Sequence, residues 1–78
     1  MIRYFCDNKR HIVCLPYSVE NLHKMAEDLG LNRRWFHKGK NNNSHYDMPI
    51  KEIAVITAKC ELVTSEEIVD IIRGRFTK

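Results

Sequence analysis

The sequence predicts a small mixed α/β fold: one domain over residues 1–78, with a sheet of three or four short strands and three helices. Short β-branched and aromatic runs bounded by turn residues alternate with segments whose apolar residues recur at helical spacing. Hydroxyl caps at Ser18 and Thr64 open two of those segments, and Gly30 and Gly74 close them. A chain of 78 residues has room for one core, and no repeat, linker or shift in composition divides it.

Residues 2–6 (IRYFC) form the first strand, ending at the turn-forming Asp7-Asn8. Residues 11–15 (HIVCL) form the second, stopped by Pro16. The four residues between them suit an antiparallel hairpin, since a parallel pair needs a longer crossover. In the first helix, Val19, Leu22, Met25, Ala26 and Leu29 make one apolar stripe, and Glu20 meets the positive end of the helix dipole. His23 sits at the edge of that stripe, where a packed histidine is the ordinary outcome. A short strand is expected over residues 34–37, followed by a polar loop rich in asparagine. Asp47 with Pro49 reads as an N-cap and first turn of a helix running to Lys59. That helix is apolar on more than one side: Ile50, Ile53 and Ala54 lie on one, while Val55 and Ile56 project elsewhere. Residues 61–63 form a brief strand. Thr64 and Glu67 then fit a capping box before the last helix, with Ile68, Ile71 and Ile72 on one face.

A core this small supplies only about 3–5 kcal/mol net and usually needs a supplement. The three cysteines, Cys6, Cys14 and Cys60, are odd in number and lie apart in apolar contexts, so they read as buried free thiols. The supplement is then a second copy, and a homo-oligomer is expected. No stretch has the layout of a signal peptide, and no apolar run spans a bilayer, so a cytoplasmic protein without a membrane partner is expected. A net charge of +3 mildly favours an anionic partner.

Function concentrates in residues 32–47 (NRRWFHKGKNNNSHYD), which hold the only tryptophan and two of the four histidines. Arg33, Arg34 and Lys38 supply charge. Trp35 and Tyr46 supply stacking faces, and His37, His45 and Asp47 supply polar groups suited to an anionic, nucleotide-like ligand. The polar loop between the two halves, if mobile, would gate whatever binds there. Trp35 has two readings, pocket wall or core, and the polar residues around it favour the pocket. His45 with His37 and Asp7 also suits acid–base work, as in phosphodiester cleavage. Asp47, however, already has a use as a helix cap. The histidine spacing matches neither a CxxC pair nor an HExxH helix, so no metal and no cofactor are assigned. With four basic residues in the stretch, long nucleic acid is not an expected partner.

These residues resemble a family of short bacterial and phage domains, the domain of unknown function family 4031. The likeness runs through Asp7 at the end of the first strand and Ser18 with Leu22-His23 at the helix start. It continues through Arg33 with Trp35-Phe36, His45-Tyr46-Asp47, and Glu61-Leu62-Val63. The resemblance implies a small α/β fold and a bacterial or phage setting, and it brings no established activity. Family members carry a histidine in the second strand where this chain has Val13. They also carry basic residues early in the following helix, near Glu52 and Ile53 here. Those departures point to a member that binds without turnover. Three functions follow in order: sequestration of a nucleotide-like ligand, possible as a counter to host defence; a phosphodiesterase or hydrolase using His45, His37 and Asp7; and an inhibitor that binds a host protein.

Overall fold

The computed structural model describes residues 2–39 and 43–76. Its five-stranded sheet has one strand more than expected. The strands are β1 (Arg3–Cys6), β2 (His11–Leu15), β3 (Phe36–Lys38), β4 (Ser44–Asp47) and β5 (Glu61–Leu62), in the order β3-β4-β2-β1-β5. β1 and β2 form the antiparallel hairpin that the short connection requires. β4 runs antiparallel to both β2 and β3, while β5 lies parallel to β1. The sheet is therefore mixed.

Three α-helices accompany it: α1 (Val19–Leu29), α2 (Ile53–Thr57) and α3 (Ser65–Ile72). The Ser18 hydroxyl caps α1, and Gly30 ends it in the left-handed conformation at φ 74°. Thr64 and Glu67 make the full capping box of α3. Arg34 and Trp35 belong to a short 3-10 turn, Arg33–Trp35, and the strand that follows starts at Phe36. The asparagine-rich loop falls partly on residues 40–42, outside the described residues, so its proposed gating is not addressed.

The extra strand corrects the reading of Asp47. Residues 44–47 were expected to lead into a helix capped by Asp47, but they form β4, and Asp47 makes no cap. A 3-10 turn, Ile50–Glu52, follows Pro49 instead, and α2 is short. The reason is the partnering of β4, which is held on both sides by β2 and β3. Its backbone groups are satisfied in the sheet, and the Asp47 carboxylate is used elsewhere.

α1 packs on β2 and β4, and α3 packs on β2. Because Ile12, Val13 and Cys14 are all fully buried, β2 is covered on both faces. Strand alternation then sorts the side chains. Cys14 and Tyr46 face α1, as the hydrogen bond between Tyr46 and His23 demonstrates. Phe5, Asp7, His11 and Val13 face α3.

Candidate functional site

On the α3 face, strand register brings four polar residues into one row. His37 stands opposite His45 across β3 and β4, and His11 stands opposite Asp47 across β2 and β4. Directly opposed residues share a face, and His45 and Asp47, two apart on β4, share it too. The His37 and His45 rings stack with centroids 5.9 Å apart, and His11 meets His45 edge-on at 5.0 Å. Asp47 lies between them, with Oδ2 3.2 Å from His37 Nε2 and Oδ1 3.4 Å from His45 Nε2.

Asp7 anchors this row from the hairpin turn. It is buried, at 2% exposure. Its Oδ1 accepts the backbone N–H groups of Lys9 and His11, each at 2.9 Å, which fixes the turn. Its Oδ2 accepts from the Ser65 hydroxyl and pairs with His11 Nδ1, each at 2.8 Å. Burial pushes this carboxyl up, but the bonds from His11, Ser65 and Lys9 outweigh it and hold the group below its ordinary value. Asp7 is therefore an anion, and it requires a proton on His11 Nδ1. His45 is fixed in the same sense, its Nδ1 donating to the Asn43 carbonyl at 2.9 Å. In the neutral form each ring therefore keeps its lone pair on Nε2, the first choice for a ligand or a base.

His11, His45 and Ser65 share a small pocket of about 270 Å³ with Ile68 and Ile72 of α3. The cluster carries two carboxylates and three imidazoles. With the imidazoles neutral, it attracts cations and repels a bare anion. An anionic ligand at this row alone thus runs against the local charge.

The remaining predicted residues separate. Arg34 and Trp35 line an open cleft of about 530 Å³ together with Arg10, Pro49, Lys51 and Glu52. Trp35 is half-buried, packing on the core while facing this cleft, and the Arg34 guanidinium lies 5.5 Å from its ring centre. The indole thus takes up both of the roles between which the sequence left it. Arg10 is held there by its Nε, which donates to the Met48 carbonyl at 2.8 Å. Arg33 and Lys38 are exposed and belong to neither the cleft nor the row. Tyr46 is turned to the α1 side, fully buried, with its hydroxyl 2.7 Å from His23 Nδ1. It offers no face to a ligand.

His11, Arg10 and Lys51 were missed. The signal for His11 was available: it lies on the same face of β2 as Val13, two residues along, so the second strand does bring a histidine to this face. Its four-residue spacing from Asp7 across a hairpin was a second sign.

A family model described as protein of unknown function (DUF4031) matches residues 9–75. No curated protein and no solved structure matches the chain.

Proposed function

We propose, for a chain that belongs to the DUF4031 family, a function taken from the cluster itself, since the family carries no assigned activity: hydrolysis of a phosphate ester in a nucleotide-like ligand. The observation that carries this reading is the fixed proton arrangement of the row. Asp7 and the Asn43 carbonyl each engage an Nδ1, so His11 and His45, when neutral, each carry their basic lone pair on Nε2. Either can take a proton from water as it attacks phosphorus. His37 lies half-exposed at the edge of the row with Asp47 beside it. Entering as the imidazolium, it would give its own proton to the leaving oxygen, while the proton taken from water stays on His11 or His45 until the products leave. The substrate class comes from the neighbouring cleft. Arg10, Arg34 and Lys51 suit a phosphate, and the indole of Trp35 suits a base. The cleft is reached one residue along the chain from His11 and two from Asp47.

Sequestration without turnover is the second reading, and the same cleft favours it. In the phage setting that the family resemblance suggests, hydrolysis would have an advantage in stoichiometry. One catalyst in the host cytoplasm removes many copies of a nucleotide signal, whereas a binder removes one.

The test is incubation with linear and cyclic nucleotides, followed by mass spectrometry of what remains. Cleavage should fall about 10²–10⁴-fold in His37→Gln, the usual range for a lost acid–base group. Trp35→Ala should raise KM with a smaller change in kcat. Recovery of every ligand intact, with tight binding that Trp35→Ala weakens, would replace hydrolysis by sequestration.

A further inference from the structure

We infer that His11, His45 and Asp47 form a binding site for one divalent transition-metal ion of the zinc class. The inference rests on the hydrolase reading and amends it, since with both Nε2 lone pairs given to an ion the ion, rather than an imidazole, would activate the water. It stands on geometry that needs no substrate.

The donors converge. One atom from each residue falls in a set whose members all lie within 4.8 Å of one another. The pair His45 Nε2 and Asp47 Oδ1 is 3.4 Å apart. Two donors each about 2.1 Å from a shared tetrahedral ion are separated by about 3.4 Å, so this edge of the site is already at metal spacing. His11 supplies the third donor, within 4.8 Å of the other two, and with Nδ1 given to Asp7 its Nε2 is the nitrogen left for an ion.

The donors are also held in the tautomer that a metal needs. A ligating histidine gives its other ring nitrogen to a carboxylate or carbonyl, which fixes the tautomer and raises the basicity of the ligand. Asp7 does this for His11 and the Asn43 carbonyl does it for His45. The consequence appears at Asp47, whose buried Oδ1 accepts no hydrogen bond among the described residues. It faces the lone pair of His45 Nε2, and two acceptors turned toward each other repel unless a cation lies between them. Asp47 Oδ2 lies instead beside His37 Nε2 at 3.2 Å, which makes His37 a neighbour of the ligand set rather than a member.

The donor types select the metal class. Two imidazoles and one carboxylate, without a thiolate, suit zinc, iron(II) or manganese(II) more than calcium or magnesium, which prefer all-oxygen sites. Three protein ligands leave a position open to water, the arrangement of catalytic rather than structural zinc sites. The Ser65 hydroxyl is not available as a fourth ligand, because it donates to Asp7. Cys6 and Cys60 are a separate group, and their thiols are pushed upward by burial.

The experiment uses the full chain after chelation, with Zn²⁺ followed by calorimetry and Co²⁺ followed by visible absorption. One equivalent should bind, with a cobalt spectrum of nitrogen–oxygen ligation. His45→Ala and His11→Ala should each weaken zinc binding at least 100-fold. His37→Ala should change it less than about threefold, circular dichroism confirming that each variant is folded. Asp7→Glu should weaken binding about 10–100-fold by displacing the carboxylate that orients His11. The inference is overturned if the folded wild type binds neither ion at high micromolar concentration, or if His45→Ala and His11→Ala bind as wild type does. An intense thiolate-to-cobalt band would overturn it too, by placing the metal at the cysteines. Zinc binding as described without any cleavage would sink the hydrolase reading alone. Cleavage by a protein that binds no metal would sink this inference alone.

Discussion

Asp7 and Asp47 are both carboxylates on the α3 face, yet their surroundings give them opposite characters. Asp7 is saturated, with four hydrogen-bond partners and no freedom to move. Asp47 keeps an oxygen with no hydrogen bond. The first is held in place by its partners, and the second is open to a further one. Asp7→Asn tests this division. An asparagine oxygen keeps the two backbone bonds, but its NH₂ then faces His11 Nδ1, which must give up its proton and become an acceptor. The proton moves to Nε2. We expect nitrogen NMR of the imidazole to show the opposite tautomer for His11, with loss of activity and a stability cost of about 1–3 kcal/mol. Ser65→Ala should leave the tautomer unchanged. At this scale the sequence was partly legible. Asp7, His37 and His45 were picked out by residue type alone, and all three lie in the cluster. His11 was not, because face-sharing across a hairpin depends on register. Tyr46 was assigned to the ligand as a stacking face, but alternation on a strand turns it away from His45 and Asp47 on either side of it.

Helices and strands differed in how well the sequence announced them. α1 and α3 carry their own signals, a cap, a stripe and a glycine stop, and both were found with accurate limits. β4 carries no local signal. Ser-His-Tyr-Asp has one aromatic residue and no β-branched one, and it becomes a strand because the distant β2 and the preceding β3 pair with it on its two sides. Contacts between elements carry their own pH dependence. Tyr4 of β1 donates its hydroxyl to Asp28 of α1 at 2.9 Å. Burial and that bond push the phenol up from 10.0 to about 12. Because the folded value exceeds the unfolded one, the contribution to stability is complete below pH 10 and is lost as pH rises toward 12. Alkaline denaturation of Tyr4→Phe should therefore show a flatter pH dependence in that window than wild type. Ultraviolet titration should find all three tyrosines of the wild type ionising late, because burial also pushes up Tyr17 and Tyr46, and Tyr4→Phe should remove one of them.

Taken whole, the molecule keeps part of its apolar surface outside. Ile50, Val55 and Leu62 are 72%, 60% and 62% exposed, whereas Ile56, their neighbour on α2, is fully enclosed. The sequence showed a helix apolar on two sides without showing which side met the core, since periodicity gives the angle between faces and not their assignment. The structure makes the distinction, and with it the test of self-association. Val55→Glu should leave the fold intact and reduce the mass seen by light scattering at tens of micromolar from that of a dimer to 9.3 kDa. Ile56→Glu should unfold the chain, because it places a charge in the core. A wild type of 9.3 kDa at that concentration would exclude the oligomer. No helix among the described residues is long and apolar enough to cross a membrane.

β4 also has a consequence for how the site can vary. One of its faces holds His45 and Asp47, and the other holds Tyr46 locked to His23 in the core. Slipping its pairing by one residue would exchange those faces, driving an imidazole and a carboxylate into oil and lifting a phenol into the row. The core thus proofreads the geometry of the row: any misaligned chain is penalised for solvation before the row can form. Insertions or deletions within β4 are barred for the same reason, while β3 and β4 can be joined by loops of varied length without disturbing the alignment. Sequence change that retunes this protein should therefore accumulate in the connection between those strands and leave their spacing untouched.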